Sequence, residues 1–501
     1  MSIFKEYRDY DGIGLAELIK SKEISPLDPL DSAIDLIERF DEKLNAVHRK
    51  LYHDAAESLN RNKDLEGTFA GVPMLLKDMD SSLANHPMMQ GSKYLKDTVM
   101  PYDNILTKKF RKTGALICGK SATPEYGLMI TTEPNEFGPT RNPWDTNKTT
   151  GGSSGGAASA VAARMVPFAH ASDGGGSIRI PAASCGLVGL KPNRGRISFS
   201  PTHGDKWGGF THSGIVSRTV RDTAFMYDNL FGIEIGDPYG VHYENGSLIK
   251  ALEKKDKLKI GFNHRTRIPV EISEEAKKAV LFNAKLCEEL GHDVEEAKLE
   301  YDGLLLSRAF VIIITSHVTQ MFKELKELVG RNYKKNEVES TTRLFDYLGK
   351  TFKASDYTWA RYTTQKIARS VMEQTSKYDV LIMPVISQPP ANINDIRPKK
   401  SAELLNEIIM SLRLGGLFNF EGVRKAILDG LAPQSLWYAP DVMLQNITGQ
   451  PAISLPTYWT DKNLPLGVQL AGKYADEATL LSLATQLEEA APWIHRVPEL
   501  I

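Results

Sequence analysis

The chain has 501 residues, 42% of them hydrophobic and 25% charged, so it can bury a large core and has the ordinary composition of a globular protein. A formal net charge of -1 gives no electrostatic reason to expect nucleic acid or an anionic membrane as the main partner. Cys118, Cys185 and Cys287 are too few for a disulfide framework and lack metal-ligand spacing; no metal or other cofactor is called for, and a reducing, cytoplasmic compartment is expected.

The N-terminal MSIFKEYRDYDG has no apolar leader core, and the longest strongly apolar run, Ala309 to Ile314, is far too short to span a bilayer. The sequons at Asn147, Asn245 and Asn446 then read as chance matches. Leu30, Ala33, Ile34 and Ile37 share one face of a helix that starts shortly after Pro29, with Asp31 in its first turn. A short apolar segment, Val72 to Leu76, delivers Lys77 and Asp78 at its end. Two readings of Lys77 stand side by side: an ammonium that snorkels to water or pairs with Asp78, or a lysine held neutral as a base.

Ile105, Leu106, Lys109 and Phe110 suggest an amphipathic helix, and Ala115 to Cys118 a buried strand. Gly114, Gly119, Lys120 and Ser121 match the phosphate-loop pattern letter for letter, but its interior is strand-like and Pro124 hinders a following helix, so nucleotide binding is set aside.

Residues 151–191 hold the strongest signal. GGSSGG at 151–156 makes a turn almost free of side chains, and Ala157 to Ala163 suits a tightly packed helix. A buried strand, Val166 to Ala171, then leads to Asp173-Gly174-Gly175-Gly176-Ser177. Three glycines before a serine can turn several backbone N–H groups into one concavity beside a hydroxyl. Ser177 is the candidate nucleophile, with the N–H groups of Gly174, Gly175, Gly176 and Ser177 as candidate oxyanion donors. Gly151, Ser153 and Gly155 also satisfy the G-x-S-x-G elbow, yet Asn142 to Asn147 upstream looks loop-like. Such a triad would draw on His170, His203 or His212, of which His170 lies in the predicted buried strand.

Leu258 to Phe262 is a strand candidate, Ser273 to Leu290 a helix and Asp379 to Val385 another buried strand. Helical patterns over Leu304 to Val329 and Thr342 to Lys377 can wall or cover a site, and Pro384 to Pro398 is a proline-marked loop. Ala452 to Leu455, Gly467 to Ala471 and a helix over Glu477 to Ala490 complete an α/β order.

Gly71-Val72-Pro73 with Lys77-Asp78, GGSSGG at 151–156, SDGGGSIRIPA at 172–182 and GLVGLKP at 186–192 together resemble the amidase signature family. The resemblance extends to Asp379 to Pro384, Gly449 to Pro456 and Pro465 to Leu470, nearly the whole chain. Thr131 to Pro134 and Thr140 to Trp144 are similar to the 6-aminohexanoate-cyclic-dimer-hydrolase-like members, although Leu128 stands where that branch implies a polar residue, which argues against the same substrate. Ser172 and Asn193 each replace a threonine of the family pattern. The resemblance implies a mixed, twisted sheet of about ten strands flanked by helices in one domain, with a catalytic core over about 70–220 and a helical covering region over about 300–440. It also implies hydrolysis of an amide through an acyl-serine, with Ser177 as nucleophile, Ser153 after a cis peptide bond as proton relay, and Lys77 as base. Asp173 and Arg179 would hold the loop, and Ser154 would bond the relay or cap the following helix. A small-molecule amide is the expected partner and a homodimer is compatible. The same motifs occur in the amidotransferase subunit that releases ammonia from glutamine, and the same triad could serve an esterase.

Overall fold

The apolar segments join into one mixed, 11-stranded sheet in a computed structural model that describes every residue except 1–2, 62–65, 412–421, 423–424, 426–427, 431–435 and 500–501. Along the chain the strands are β1 (Val47–Lys50), β2 (Pro73–Lys77), β3 (Leu116–Ser121), β4 (Arg141–Asn142), β5 (Asp145–Thr149), β6 (Phe168–Asp173) and β7 (Val188–Lys191). They continue with β8 (His212–Ser217), β9 (Lys259–Phe262), β10 (Asp293–Glu296), β11 (Val380–Pro384), β12 (Ala452–Leu455) and β13 (Val468–Gly472). β4 and β5 form a separate hairpin; the others run β1-β3-β2-β6-β8-β7-β12-β13-β11-β9-β10 across the sheet.

β2 lies parallel to β3 on one side and to β6 on the other, and all five of its residues are buried. Strands covered on both faces read as continuous apolar runs, which is why this segment was visible in the sequence. β8 pairs antiparallel with β6, placing His212 opposite Asp173. β1, β7, β8 and β10 carry no such run and escape the sequence reading. β10, at the sheet edge, is three-quarters acidic, a composition that blunts an edge.

Helix Leu27–Leu44 begins before Pro29, which sits in the first turn where its missing N–H is harmless; Asp28 takes the first-turn place expected of Asp31. Leu30, Ala33, Ile34 and Ile37 are buried as the spacing requires. The pattern over Thr342 to Lys377 is two helices, Ser340–Gly349 and Ala354–Thr375. Both pack on helix Gly303–Val329, and a Cβ at Gly349 would lie 2.1 Å from the Thr315 carbonyl oxygen, so glycine permits the close approach. Among the described residues Gly303–Val329 is the one helix long and apolar enough to cross a membrane; Ala309, Ile312, Ile313 and Val318 on it are buried inside the protein. The expected covering region at 300–440 contains these helices and also strand β11 and helix Lys400–Ser411, while 412–421, 423–424, 426–427 and 431–435 lie outside the described residues.

The phosphate-loop match dissolves: Gly119, Lys120 and Ser121 are part of β3, and Lys120 is fully buried with its ammonium 3.5 Å from the Asp78 carboxylate. Asn142 to Asn147 is not a plain loop but most of the β4–β5 hairpin.

Helix Gly155–Ala162 is buried along its whole length against β2, β3, β6 and β8. Its small residues allow backbone-to-backbone packing: a Cβ at Gly156 would lie 2.3 Å from the Ala122 nitrogen and 2.6 Å from the Ala46 carbonyl oxygen. Alanine is favoured over glycine in a helix by about 1 kcal/mol. Here the obstructing atoms are backbone and cannot swing away, so overpacking of about 1–3 kcal/mol wins. Gly156→Ala should therefore lower the urea midpoint of unfolding with an unchanged m-value; an unchanged or raised midpoint contradicts this packing.

Candidate active site

The turn at 151–156, the end of β6 and the end of β2 converge. Lys77, the last residue of β2, is fully buried, and its Nζ donates to Ser153 Oγ at 2.7 Å and to Ser172 Oγ at 3.1 Å. No ammonium snorkels to water here, and Asp78 points instead to Lys120. Burial lowers the Lys77 pKa to about 8 from its ordinary 10.5, against the fields of Asp80 and Asp173, which raise it. The neutral form then costs about 1 kcal/mol at pH 7, compared with about 5 kcal/mol for a lysine in water. Asp80 is itself buried and bound by Lys206 at 2.7 Å.

Ser153 is 2% exposed and follows a cis peptide bond from Gly152. A Cβ at Gly152 would lie 2.5 Å from the Thr131 carbonyl oxygen, so only glycine fits between the turn and that segment. Thr132 braces the turn from the other side: its Oγ1 donates to the Gly151 carbonyl and accepts the Gly155 N–H, both at 3.0 Å. This corrects the expectation for Ser154. Its backbone is not in the extended conformation of a cap and Thr132 already takes a free N–H of the helix. The Ser154 hydroxyl exchanges 3.3 Å contacts with the backbone of Ser172, tying the turn to β6.

Ser177 is 8% exposed, the most open of Lys77, Ser153 and Ser177. Its loop is organised by the Asp173 carboxylate, which accepts the Gly176 N–H at 2.7 Å and the Ile178 N–H at 3.2 Å. The Gly176 N–H is therefore occupied and is struck from the candidate oxyanion donors. Those of Gly174, Gly175 and Ser177 meet no protein acceptor among the described residues. Gly176 has φ of +118°, a backbone conformation that side-chain-bearing residues resist.

Arg179 holds Asp173 with two bonds, at 2.9 and 3.0 Å, and both side chains are fully buried. The remaining guanidinium donors reach the Val442 carbonyl at 2.7 Å, Gln469 Oε1 at 2.9 Å and Asn446 Oδ1 at 2.6 Å. Asn446 returns its amide N–H groups to Asp173 Oδ1, 2.7 Å, and to the carbonyls of Asp173 and Phe210. Burial opposes ionisation of Asp173, and the Arg179 guanidinium overrides it, holding the carboxyl well below the usual range. Sequence reasoning assigned Asp173 and Arg179 to the loop but missed Thr132, Asn446 and Gln469, which lie 19 to 290 residues from their partners. The only signal at Asn446 was a sequon, which full burial removes from consideration.

The histidines stand apart. His170 Nδ1 accepts the backbone N–H of Lys77 at 3.2 Å, and burial lowers its pKa to about 3. His212 is buried with neither ring nitrogen partnered among the described residues, and His203 faces Thr202 and Glu324. No serine of the two glycine-rich segments bonds any of the three.

Removing one member of a buried ion pair costs about 3–5 kcal/mol, because the other charge stays behind. Arg179→Met should destabilise the protein by that order and erase activity. Asp173 and Asp80 both have depressed folded pKa values, so the stability that each supplies is present above the unfolded value of about 3.9 and is lost as pH falls below it. Urea unfolding from neutral pH to about pH 3 checks both, and Arg179→Met should show a shallower acid loss than the parent. A parent-like midpoint for Arg179→Met contradicts the clamp.

The Amidase family model matches residues 28–481. The 6-aminohexanoate-cyclic-dimer hydrolase of Paenarthrobacter ureafaciens is 33% identical, covering 98% of this chain and 97% of that protein. A solved structure of 6-aminohexanoate cyclic dimer hydrolase complexed with substrate has a TM-score of 0.88 at 30% identity, over 98% of this chain and 99% of that one. A bacterial aryl acylamidase of the amidase signature family has a TM-score of 0.83 at 26% identity, over 97% and 96%. The 11-stranded sheet and its helices agree with the mixed sheet of about ten strands expected and with the architecture of these structures. With a family model over most of its length and relatives above 30% identity end to end, the chain belongs to the amidase family and is a hydrolase of carbon–nitrogen bonds.

Proposed function

We propose that the chain hydrolyses an uncharged amide with an apolar group next to the scissile carbonyl, through an acyl-serine formed on Ser177. The observation that carries this reading is the buried Lys77 Nζ, 2.7 Å from Ser153 Oγ, with a pKa lowered to about 8 by burial. A serine hydroxyl is a poor nucleophile until a base removes its proton. Neutral Lys77 takes the proton of Ser153, Ser153 takes that of Ser177, and Ser177 Oγ bonds to the carbonyl carbon. The carbonyl π electrons move to the oxygen, which is met by the N–H groups of Gly174, Gly175 and Ser177. Return of the proton through Ser153 to the nitrogen expels the amine. Water then repeats the path on the ester and releases the acid. The catalytic core extends over about 70–220, and helix Gly303–Val329 covers it.

The surroundings of the loop support the apolar group. A Cβ at Gly174 would lie 2.6 Å from the Trp207 ring, and one at Gly175 would lie 3.2 Å from the Phe310 ring. Both rings pack, with Leu128, on the cluster of Tyr126, Ile314 and Phe322. A Cβ at Gly127 would meet Met79 at 2.7 Å and Ser153 Oγ at 3.3 Å. Such walls suit an aryl or alkyl acyl group and offer little to the charged end of glutamine, which favours an amidase over an amidotransferase subunit.

Acyl para-nitroanilides from acetyl to hexanoyl and benzoyl test the reading. The parent should prefer the larger apolar acyl groups, by roughly tenfold in kcat/KM for two or more buried methylenes. Phe310→Ala should flatten that preference, Ser177→Ala should abolish turnover with the fold intact, and single replacements of His170, His203 and His212 should leave it. Equal rates across the series sink the substrate class; loss of activity in a folded histidine variant sinks the lysine relay.

A further inference from the structure

A cavity of about 190 Å³ lies between the sheet and the C-terminal end of helix Ala354–Thr375, and contains none of Lys77, Ser153 or the nucleophile loop. An apolar cavity of about 150 Å³ is enough to hold benzene. Val371, Met372, Leu381 and Ala471 supply apolar wall. The charges at its rim cancel: Lys473 Nζ bonds Asp379 Oδ1 at 2.7 Å, and Asp379 Oδ2 also accepts the Lys259 N–H at 2.8 Å. A charged ligand would find no free countercharge there.

Gln445, which also lines the cavity, is 2% exposed. Its amide is poorly served: Oε1 is 3.5 Å from Arg179 Nη1, and among the described residues Nε2 has only the Met383 sulfur at 3.9 Å. A thioether is a weak acceptor, so a buried N–H donor is left for a better one. Beside it, Gln469 Oε1 binds Arg179 while its Nε2 has no partner among the described residues. Gln469 and Ala471 are two apart on β13 and share a face.

We propose that this cavity is a second small-molecule site, for an uncharged aryl or branched-alkyl compound with one carbonyl oxygen that accepts from Gln445 Nε2, and that its occupancy reaches the nucleophile loop through Arg179. Turning Gln445 toward a ligand changes its contact with Arg179 Nη1. The same guanidinium holds Asp173, and Asp173 holds the Gly176 and Ile178 N–H groups. The binding half stands independently of the mechanism; the coupling half rests on Ser177 being the nucleophile.

The probe is para-fluoroacetophenone, a ketone that the enzyme cannot hydrolyse, titrated into the full chain and followed by fluorine NMR. Saturable binding is expected. Ala471→Leu, which fills the interior, and Ser376→Trp, which covers the mouth from an exposed position, should each weaken binding roughly tenfold or more. At saturating probe, fluorophosphonate labelling should change by roughly twofold or more in the parent and less in Ser376→Trp, where only competition at the active site remains. Absence of saturable binding, or parent-like binding by both folded variants, overturns the site. Binding that both variants weaken, with labelling unchanged in the parent, overturns the coupling. A parent that fluorophosphonate does not label at all refutes the nucleophile, and the NMR titration still decides the site.

Discussion

Desolvation of one ammonium group is the constraint on which the rest of the site depends. Lys77 ends a strand whose neighbours on both sides are strands and whose faces are both covered, so water cannot solvate its charge. That position makes the neutral amine accessible near neutral pH, at a cost that the surrounding fold has already met. Asp80 and Asp173 act against it, and their countervailing effect is blunted because each carboxylate is bound to its own cation, Lys206 and Arg179. The pKa of about 8 is the balance of these two influences, with burial the larger.

The loop from Asp173 to Ser177 meets a second constraint. Glycines give it shape but no rigidity, and the rigidity comes from Asp173, which binds two loop N–H groups and is itself clamped by Arg179 and Asn446. A buried charge pair is a weak source of net stability compared with apolar packing. Its value here is geometric: it decides which N–H groups turn inward to Asp173 and which remain free to face a ligand. That division excludes Gly176 and leaves Gly174, Gly175 and Ser177.

What the sequence revealed follows from how local each signal is. β2, β3, β6 and β11 each contain a short apolar run, and the glycine-framed serines are punctuation that no helix or strand explains. The resemblance added roles for Lys77 and Ser153 that spacing alone left open between a solvated ammonium and a base. What stayed hidden is non-local. Thr132 serves the turn from 19 residues upstream of Gly151, and Asn446 and Gln469 reach Arg179 from the far end of the chain. β1, β7, β8 and β10 are short and polar or glycine-broken, and they exist because neighbours supply their ladders. The occupied N–H of Gly176 could not be read from three identical glycines; it needed the position of Asp173.

The pH dependence of fluorophosphonate labelling, with the adduct mapped by mass spectrometry, tests the lysine relay most directly. The account predicts an adduct on Ser177 and a labelling rate that rises with pH and levels off with a midpoint near the Lys77 value of about 8. Lys77→Arg, which stays protonated at any accessible pH, should remove both the rise and most of the rate. An adduct on Ser153, a midpoint near the ordinary histidine value of about 6.5, or parent-like labelling of Lys77→Arg would contradict it.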